Sequence, residues 1–208
     1  PLGGVEVLEA EVTPAETPAD AVAVLEALAG GTGPVAAAGA WSGPPGRSPL
    51  DGLALVTDPA AAEVAWLPGV LLGDPAVRTA LAAAVGVDGT RPLAAHGAKP
   101  LLRSLTDREV DAVLGVDTML ATYLPDPAES RYLLDELLVR YAQVQLPEQS
   151  ATAEGQLDLD ATATSPEVIA GREALAVDRL VAPLEASLDA NGVRPLFDDI
   201  EVPLVGVL

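Results

Sequence analysis

Apolar and acidic residues alternate from Val5 to Val12 (VEVLEAEV), and this period of two predicts a half-exposed strand over 5–12. Thr17-Pro18-Ala19-Asp20 carries helix-start chemistry, and the helix it opens runs through Ala29 to the stop at Gly30-Gly31. Three β-like runs follow, Val35 to Trp41, Gly52 to Thr57 and Glu63 to Leu67. The turn-rich pieces Ser42-Gly43-Pro44-Pro45-Gly46 and Asp58-Pro59 separate them, so the spacing predicts an antiparallel meander.

Beyond residue 73 the pattern changes to alternation of helix and strand. Asp74-Pro75 supplies an N-cap and a first-position proline for a helix to Val85. A strand over Arg91–Ala95, a helix over Ala98–Leu105 and a short strand over Val113–Val116 come next. Asp117 or Thr118 caps a helix through Tyr123. Leu133, Leu134, Leu137, Leu138 and Tyr141 mark another over 133–142. The stretch Gln149 to Thr164 is polar and aperiodic and reads as a loop. Ser165-Pro166-Glu167 opens a long helix to about Ala190, stopped by Asn191-Gly192, and Pro195 to Leu208 reads as a helix broken near Pro203. A meander followed by alternation and then helices predicts an α/β fold with a mixed central sheet flanked by helices.

Composition narrows the chemistry. Half of the 208 residues are hydrophobic but only 3% are aromatic, so the core must be built from Ala, Val and Leu in close packing. Eleven basic against thirty-one acidic residues give a net charge of −20. Nucleic-acid affinity comes largely from Lys and Arg displacing counterions, so weak or no direct DNA binding is expected. The absence of cysteine and the single histidine, His96, exclude thiolate and multi-histidine metal sites. No apolar run is long enough to span a bilayer, and the Pro-Leu-Gly start without Met reads as an excised, cytoplasmic fragment.

Three stretches together carry a resemblance. Gly115 to Pro127 (GVDTMLATYLPDP), followed by Arg131-Tyr132-Leu133-Leu134-Asp135-Glu136-Leu137, resembles the "FDTML-x-x-YLL-x-P … L-x-x-L" block of the exonuclease domain in family A DNA polymerases. Leu93 to Lys99 (LAAHGAK) is similar to that family's "G-H-N-x-K-x-D" segment. Phe197 to Leu208 (FDDIEVPLVGVL) resembles the "x-x-IE-x-PL-x-x-VL" helix that joins the exonuclease domain to the polymerase thumb. The match covers roughly residues 33 to 208. It implies an RNase H-like (DnaQ-like exonuclease) fold. It also implies residues 1–32 leading in, a 3′–5′ exonuclease-like domain over 33–194, and a joining helix over 195–208. Its source would be an actinobacterial-type DNA polymerase I, active in DNA replication and repair.

The resemblance also says where catalysis should sit, and there the chain departs from it. Active members hold two divalent metals with four carboxylates, because hard cations demand oxygen ligands and two of them need several negative charges nearby. The Asp-x-Glu of the first strand falls on Ala38 and Ala40. The Asp after the motif lysine falls on Leu101, two residues beyond Lys99, and Tyr-x-x-x-Asp of the long helix falls on Ala170 and Ala174 by an ungapped count from Ile200-Glu201. Neither alanine nor leucine can ligate a metal or orient water. The reading is a catalytically inactive domain, without cofactor, that acts as a structural scaffold for the polymerase domain of the same chain. It would be monomeric and nucleoid-associated only through its parent.

Two alternatives stand beside it. An active exonuclease would use Mg²⁺ or Mn²⁺ on relocated ligands such as Asp51, Asp58 or Asp117, and an acidic protein-interaction module would use the 149–164 loop. Asp117 is expected to cap a helix. His96 reads as a strand-end structural residue, and Lys99 as a point charge that once met phosphate. Glu154, Asp158 and Asp160 read as a solvated cluster lacking the Gly turn and terminal Glu of a calcium loop. Trp41 is expected either to fill the space of the lost metal site together with Ala and Leu, or, like Trp66, to serve the general core.

Overall fold

The structure is a computed structural model that describes residues 6–128, 131–147 and 164–207. The predicted 149–164 loop, with Glu154, Asp158 and Asp160, therefore lies outside the described residues apart from Thr164. In chain order the elements are strands β1 (Glu6–Val7) and β2 (Glu11–Pro14), helix α1 (Pro18–Ala29), and strands β3 (Val35–Trp41), β4 (Leu50–Asp58) and β5 (Glu63–Pro68). Helix α2 (Pro75–Val85), strand β6 (Leu93–Ala95), helix α3 (Lys99–Thr106), strand β7 (Leu114–Asp117) and helix α4 (Thr118–Tyr123) come next. Helix α5 (Leu134–Ala142), strand β8 (Val144–Gln145) and the long helix α6 (Pro166–Ala190) lead to a C-terminal helical segment.

The main sheet has six strands in the order β2-β5-β4-β3-β6-β7. β3, β4 and β5 form the expected antiparallel meander, while β6 and β7 add in parallel beside β3, and β2 adds in parallel beside β5. The single strand expected over 5–12 is instead two. β2 joins the main sheet, whereas β1 pairs with β8 in a separate two-stranded ribbon. Residues 1–32 thus contribute β2 and α1 to the same body of structure, with α1 packed on α2.

Alternation along the strands sorts the core into two layers, as a sheet covered on both faces requires. Val35 and Ala37 of β3, with Leu53 and Leu55 of β4, face α1, α2 and α3 through Leu25, Leu81 and Leu105. Ala36, Ala54 and Val56 face α4, α5 and α6 through Ala121, Leu138 and Leu180. The second face is lined by small side chains, so α6 approaches the sheet closely. A Cβ on Gly171 would collide with the Val12 side chain of β2. Gly171→Ala should therefore overpack this contact and cost about 1–3 kcal/mol, read as a lower urea midpoint at unchanged m-value.

Helix starts follow the sequence chemistry. Thr17 and Asp20 form a reciprocal capping box on α1, and the Asp74 carboxylate accepts from the Ala76 and Val77 amides at the start of α2. The C-terminal segment is not broken at Pro203. It runs as Arg194–Leu196, a π-helical turn Phe197–Glu201, and Val202–Val205. Pro203 has no N–H for the Asp199 carbonyl, and the chain widens just before it, where the Val202 amide donates to the Phe197 carbonyl.

Candidate functional site: a cleft at the end of the central strands

β3 is the middle of the sheet, and its outer half borders a cleft with the β6–α3 turn on one side and α6 on the other. The cavity is about 270 Å³ and is walled mainly by Ala37, Ala38, Ala95, Ala98, Leu101 and Val177. Ala38 and Ala40 lie on the α6 side of β3, two residues apart as the period of a strand requires, and Ala38 lines the cleft directly. Leu101 lines it from the first turn of α3. Ala174 does not line it. That residue is fully buried in the layer between α6 and the sheet, together with Ala170, where a small side chain permits the close approach described above. The residues of α6 that reach the cleft are Glu173 and Val177, one turn apart.

Glu173 is the acid that lines the cavity among the described residues, and the sequence reading passed over it. Its one signal was a lone carboxylate inside the apolar run from Ala170 to Val177, a run otherwise broken only by Arg172. Burial raises its pKa above the ordinary carboxylate value, with no cation opposing the shift. A raised native pKa means that stability is complete below the unfolded-state value and is lost as pH rises through the native one. Glu173→Gln should therefore raise the melting temperature at pH 7 and change it little near pH 4, checked by thermal unfolding at both pH values.

The β6–α3 turn is held by Asp117. This side chain is 2% exposed, and its carboxylate accepts four backbone N–H groups. Met119 and Leu120 at the start of α4 donate at 2.9 and 3.3 Å, and Gly97 and Ala98 donate at 3.0 and 2.7 Å. Gly97 reaches this geometry at φ +58°, in the left-handed region that glycine enters without strain. Asp117 is thus an N-cap that also fastens a second turn, with its acceptor capacity committed to the backbone. Thr118, on the α4 side, accepts or donates at 2.9 Å with His96 Nδ1. Burial lowers the His96 pKa against the opposing charge of Asp117, so the imidazole is neutral at pH 7.

Trp41 closes the outer end. Its Nε1 donates to Ser104 Oγ at 2.9 Å, and a Cβ on Gly39 would stand 2.7 Å from its ring. Trp41, Leu101 and the alanines were expected to fill the old groove. They line it but leave the cavity open, since alanine methyl groups are too short to meet across it. Trp66 lies on the other face of the sheet, packed over Gly52 in the α6 layer. Asp51 is exposed on β4, and Asp58 caps the β4–β5 turn by accepting from the Ala60 and Ala61 amides. Neither lines the cleft. A two-metal centre needs several carboxylates around one point. One carboxyl, a neutral imidazole and apolar walls do not fit such a centre, and no cluster of three potential ligands occurs among the described residues.

A three-layer α/β body with this mixed strand order and a cleft beside its central strands defines an RNase H-like fold of the DnaQ exonuclease type. No protein-family model matches the chain, and no curated protein sequence is similar to it. Solved structures are similar. The POL domain of Pol1 from M. smegmatis, in complex with DNA primer-template and dNTP, is 24% identical with a TM-score of 0.70, over 94% of this chain and 30% of that one. Brucella melitensis NrnC bound to pGG is 17% identical with a TM-score of 0.67, over 97% of this chain and 91% of that one. The catalytic core of RRP6 from Trypanosoma brucei is 15% identical with a TM-score of 0.62, over 98% and 55%. The chain therefore spans about a third of the length of the mycobacterial polymerase chain.

Proposed function

We propose that this chain is a catalytically inactive 3′–5′ exonuclease-like domain of an actinobacterial-type DNA polymerase I, serving in replication and repair as a scaffold for the polymerase domain of the same protein. The observation that carries the proposal is the donor set of the cleft. Ala38 and Leu101 stand on two of its walls, and Glu173 is the carboxylate that lines it among the described residues. A phosphodiester-cleaving pair of metals would be left without the charge that holds it. The likeness to the Pol1 chain supports the choice of parent, and the share of that chain left uncovered leaves room for a polymerase domain.

A docking face supports the scaffold role. Leu196, Ile200 and Leu204, spaced four apart in the C-terminal segment, are 40%, 49% and 42% exposed, while Phe197 beside them is buried in the core. Such a row is costly to leave in water and suits a covering domain. No helix among the described residues is long and apolar enough to cross a membrane. The fragment itself is proposed to be monomeric, to take no cofactor and to act in the cytoplasm.

The test is degradation of a 3′-labelled single-stranded oligonucleotide with Mg²⁺ and then Mn²⁺, in protein shown to be folded by circular dichroism. No metal-dependent loss of label is expected. Loss that survives purification and disappears in Glu173→Gln would overturn the inactive reading in favour of an exonuclease with relocated ligands.

A further inference from the structure

The face of the sheet opposite α6 carries a cavity that is larger than the cleft and shares no lining residue with it. This groove, about 590 Å³, runs between α1 and the strands β2 and β5. Val24, Ala27 and Leu28 of α1 form one wall at the spacing of a single helix face, and Pro14, Ala15 and Ala65 form the other. From Asp20 to Gly31 the α1 wall is about 16 Å long, the length of roughly three helical turns. On the other face of the sheet α6 packs across the same two strands. On the groove side Thr13, Ala27 and Glu63 are exposed.

Carboxylates stand along this apolar groove. Asp20 of α1 and Glu63 of β5 line it, and Glu11 is the register partner of Glu63 across the parallel β2–β5 pair. Val12 and Val64 pack in the α6 layer, so alternation turns Glu11 and Glu63 to the groove side together. Neighbouring strands lie about 4.8 Å apart, and like charges side by side at that spacing weaken a sheet. None of the three carboxylates forms an ion pair among the described residues. Arg91, the cation that lines the groove, does not neutralise them. Its three guanidinium nitrogens donate to the carbonyls of Gly33, Leu28 and Pro34 at 2.8, 3.0 and 3.2 Å. Folding explains Asp20, which caps α1, and Arg91, which ties down the end of that helix. It explains neither the open apolar row nor the adjacent glutamates.

We infer that the α1–β2–β5 groove docks a basic amphipathic segment of a partner protein, its apolar side chains against Val24 and Ala27 and its Lys or Arg residues at Glu11 and Glu63. The long stems of lysine and arginine cover apolar surface while their charged heads stay at the rim. A cation set between the two glutamates removes the repulsion that the sheet otherwise carries. Apolar contact then holds the segment, and the charge selects a basic partner and speeds its encounter with a chain of net charge −20. The inference goes beyond the inactive-scaffold proposal and does not depend on it. The groove uses neither the cleft nor the exposed row of Leu196, Ile200 and Leu204.

The test is a titration of the ¹⁵N-labelled chain with a synthetic amphipathic peptide of leucine and lysine. Amide shifts are expected at 11–15, 20–31 and 63–65. Oligolysine should bind more weakly, and a leucine–glutamate peptide of the same pattern should not bind. Glu11→Gln with Glu63→Gln should weaken the leucine–lysine complex about fivefold, the loss of two exposed charge pairs. Asp88→Asn with Asp111→Asn, the same change of charge elsewhere on the surface, should leave it unaltered. Absent shifts, shifts spread over the surface, or equal weakening by both double variants would overturn the assignment. Equal binding by oligolysine would overturn the apolar half of it, and binding of the glutamate peptide in the groove would overturn the basic half. Groove shifts that grow with protein concentration alone would overturn it in favour of a second copy of the chain. All four substituted residues are exposed, and the mapping on the unaltered chain needs no variant.

Discussion

Asp117→Ala is expected to destabilise the fold by about 3–5 kcal/mol, a large share of the 5–15 kcal/mol that holds a typical domain together. Four backbone N–H groups lose their acceptor at once. Each buried donor left unpaired costs about 1–3 kcal/mol, and partial rehydration of the β6–α3 turn keeps the total below their sum. Asp117→Asn separates this account from a simple charge effect. Its amide oxygen can replace Oδ1, which accepts from Gly97, Met119 and Leu120, but its NH₂ must then face the Ala98 N–H that Oδ2 now accepts. Asn should therefore cost less than Ala, about 1–3 kcal/mol. Urea denaturation of both variants decides. Equal and small losses would mean that the carboxylate does not fasten the two turns.

The same residue bears on how the proposed loss of a metal site would leave the fold intact. The strand ends and turns that surround the cleft are held by bonds that need no metal: Asp117 to four amides, Trp41 to Ser104, and His96 to Thr118. The wall residues facing inward, Ala38 and Leu101, carry no polar atom that a missing ion would leave unsatisfied, and no buried side-chain polar atom lacks a partner among the described residues. Glu173 is the exception in kind, a carboxyl that burial penalises and no cation relieves.

Much of the fold was legible because its signals are local. The meander announced itself through short β-like runs and the turn residues between them, and Asp74-Pro75 and Ser165-Pro166 marked helix starts that the structure keeps. What stayed hidden depends on distant partners. Nothing within VEVLEAEV says that Glu6–Val7 pairs with Val144–Gln145 while Glu11–Pro14 pairs with β5, since parallel pairing carries no turn signal. The cleft divided in the same way. Strand period alone puts Ala38 and Ala40 on one face, whereas the face of α6 that meets the cleft depends on helix rotation. An ungapped count cannot supply that, so Ala174 went to the core and Glu173 to the cleft.

Phe197→Ala is the second large expected effect. Phe197 is the only phenylalanine of the chain and is 1% exposed, inserted in the layer between α6 and the sheet. Truncating a buried phenylalanine removes its transfer free energy and leaves a cavity, which together cost about 3–5 kcal/mol. The loss should be local before it is global. Phe197 fixes the π-helical turn, and the flanking residues Leu196, Ile200 and Leu204 are exposed and add little anchorage. Hydrogen exchange should therefore quicken at 194–205 under conditions where β3 and α6 remain protected. Leu204→Ala, on the exposed row, should leave the stability of the 208-residue chain within about 0.5 kcal/mol. If both variants cost the same, the segment is held by its outer row rather than by Phe197, and the face proposed for the polymerase domain would be folded inward. If only Phe197→Ala is costly, the segment is anchored on one side and free on the other, as a scaffold that presents an apolar row to a neighbouring domain requires.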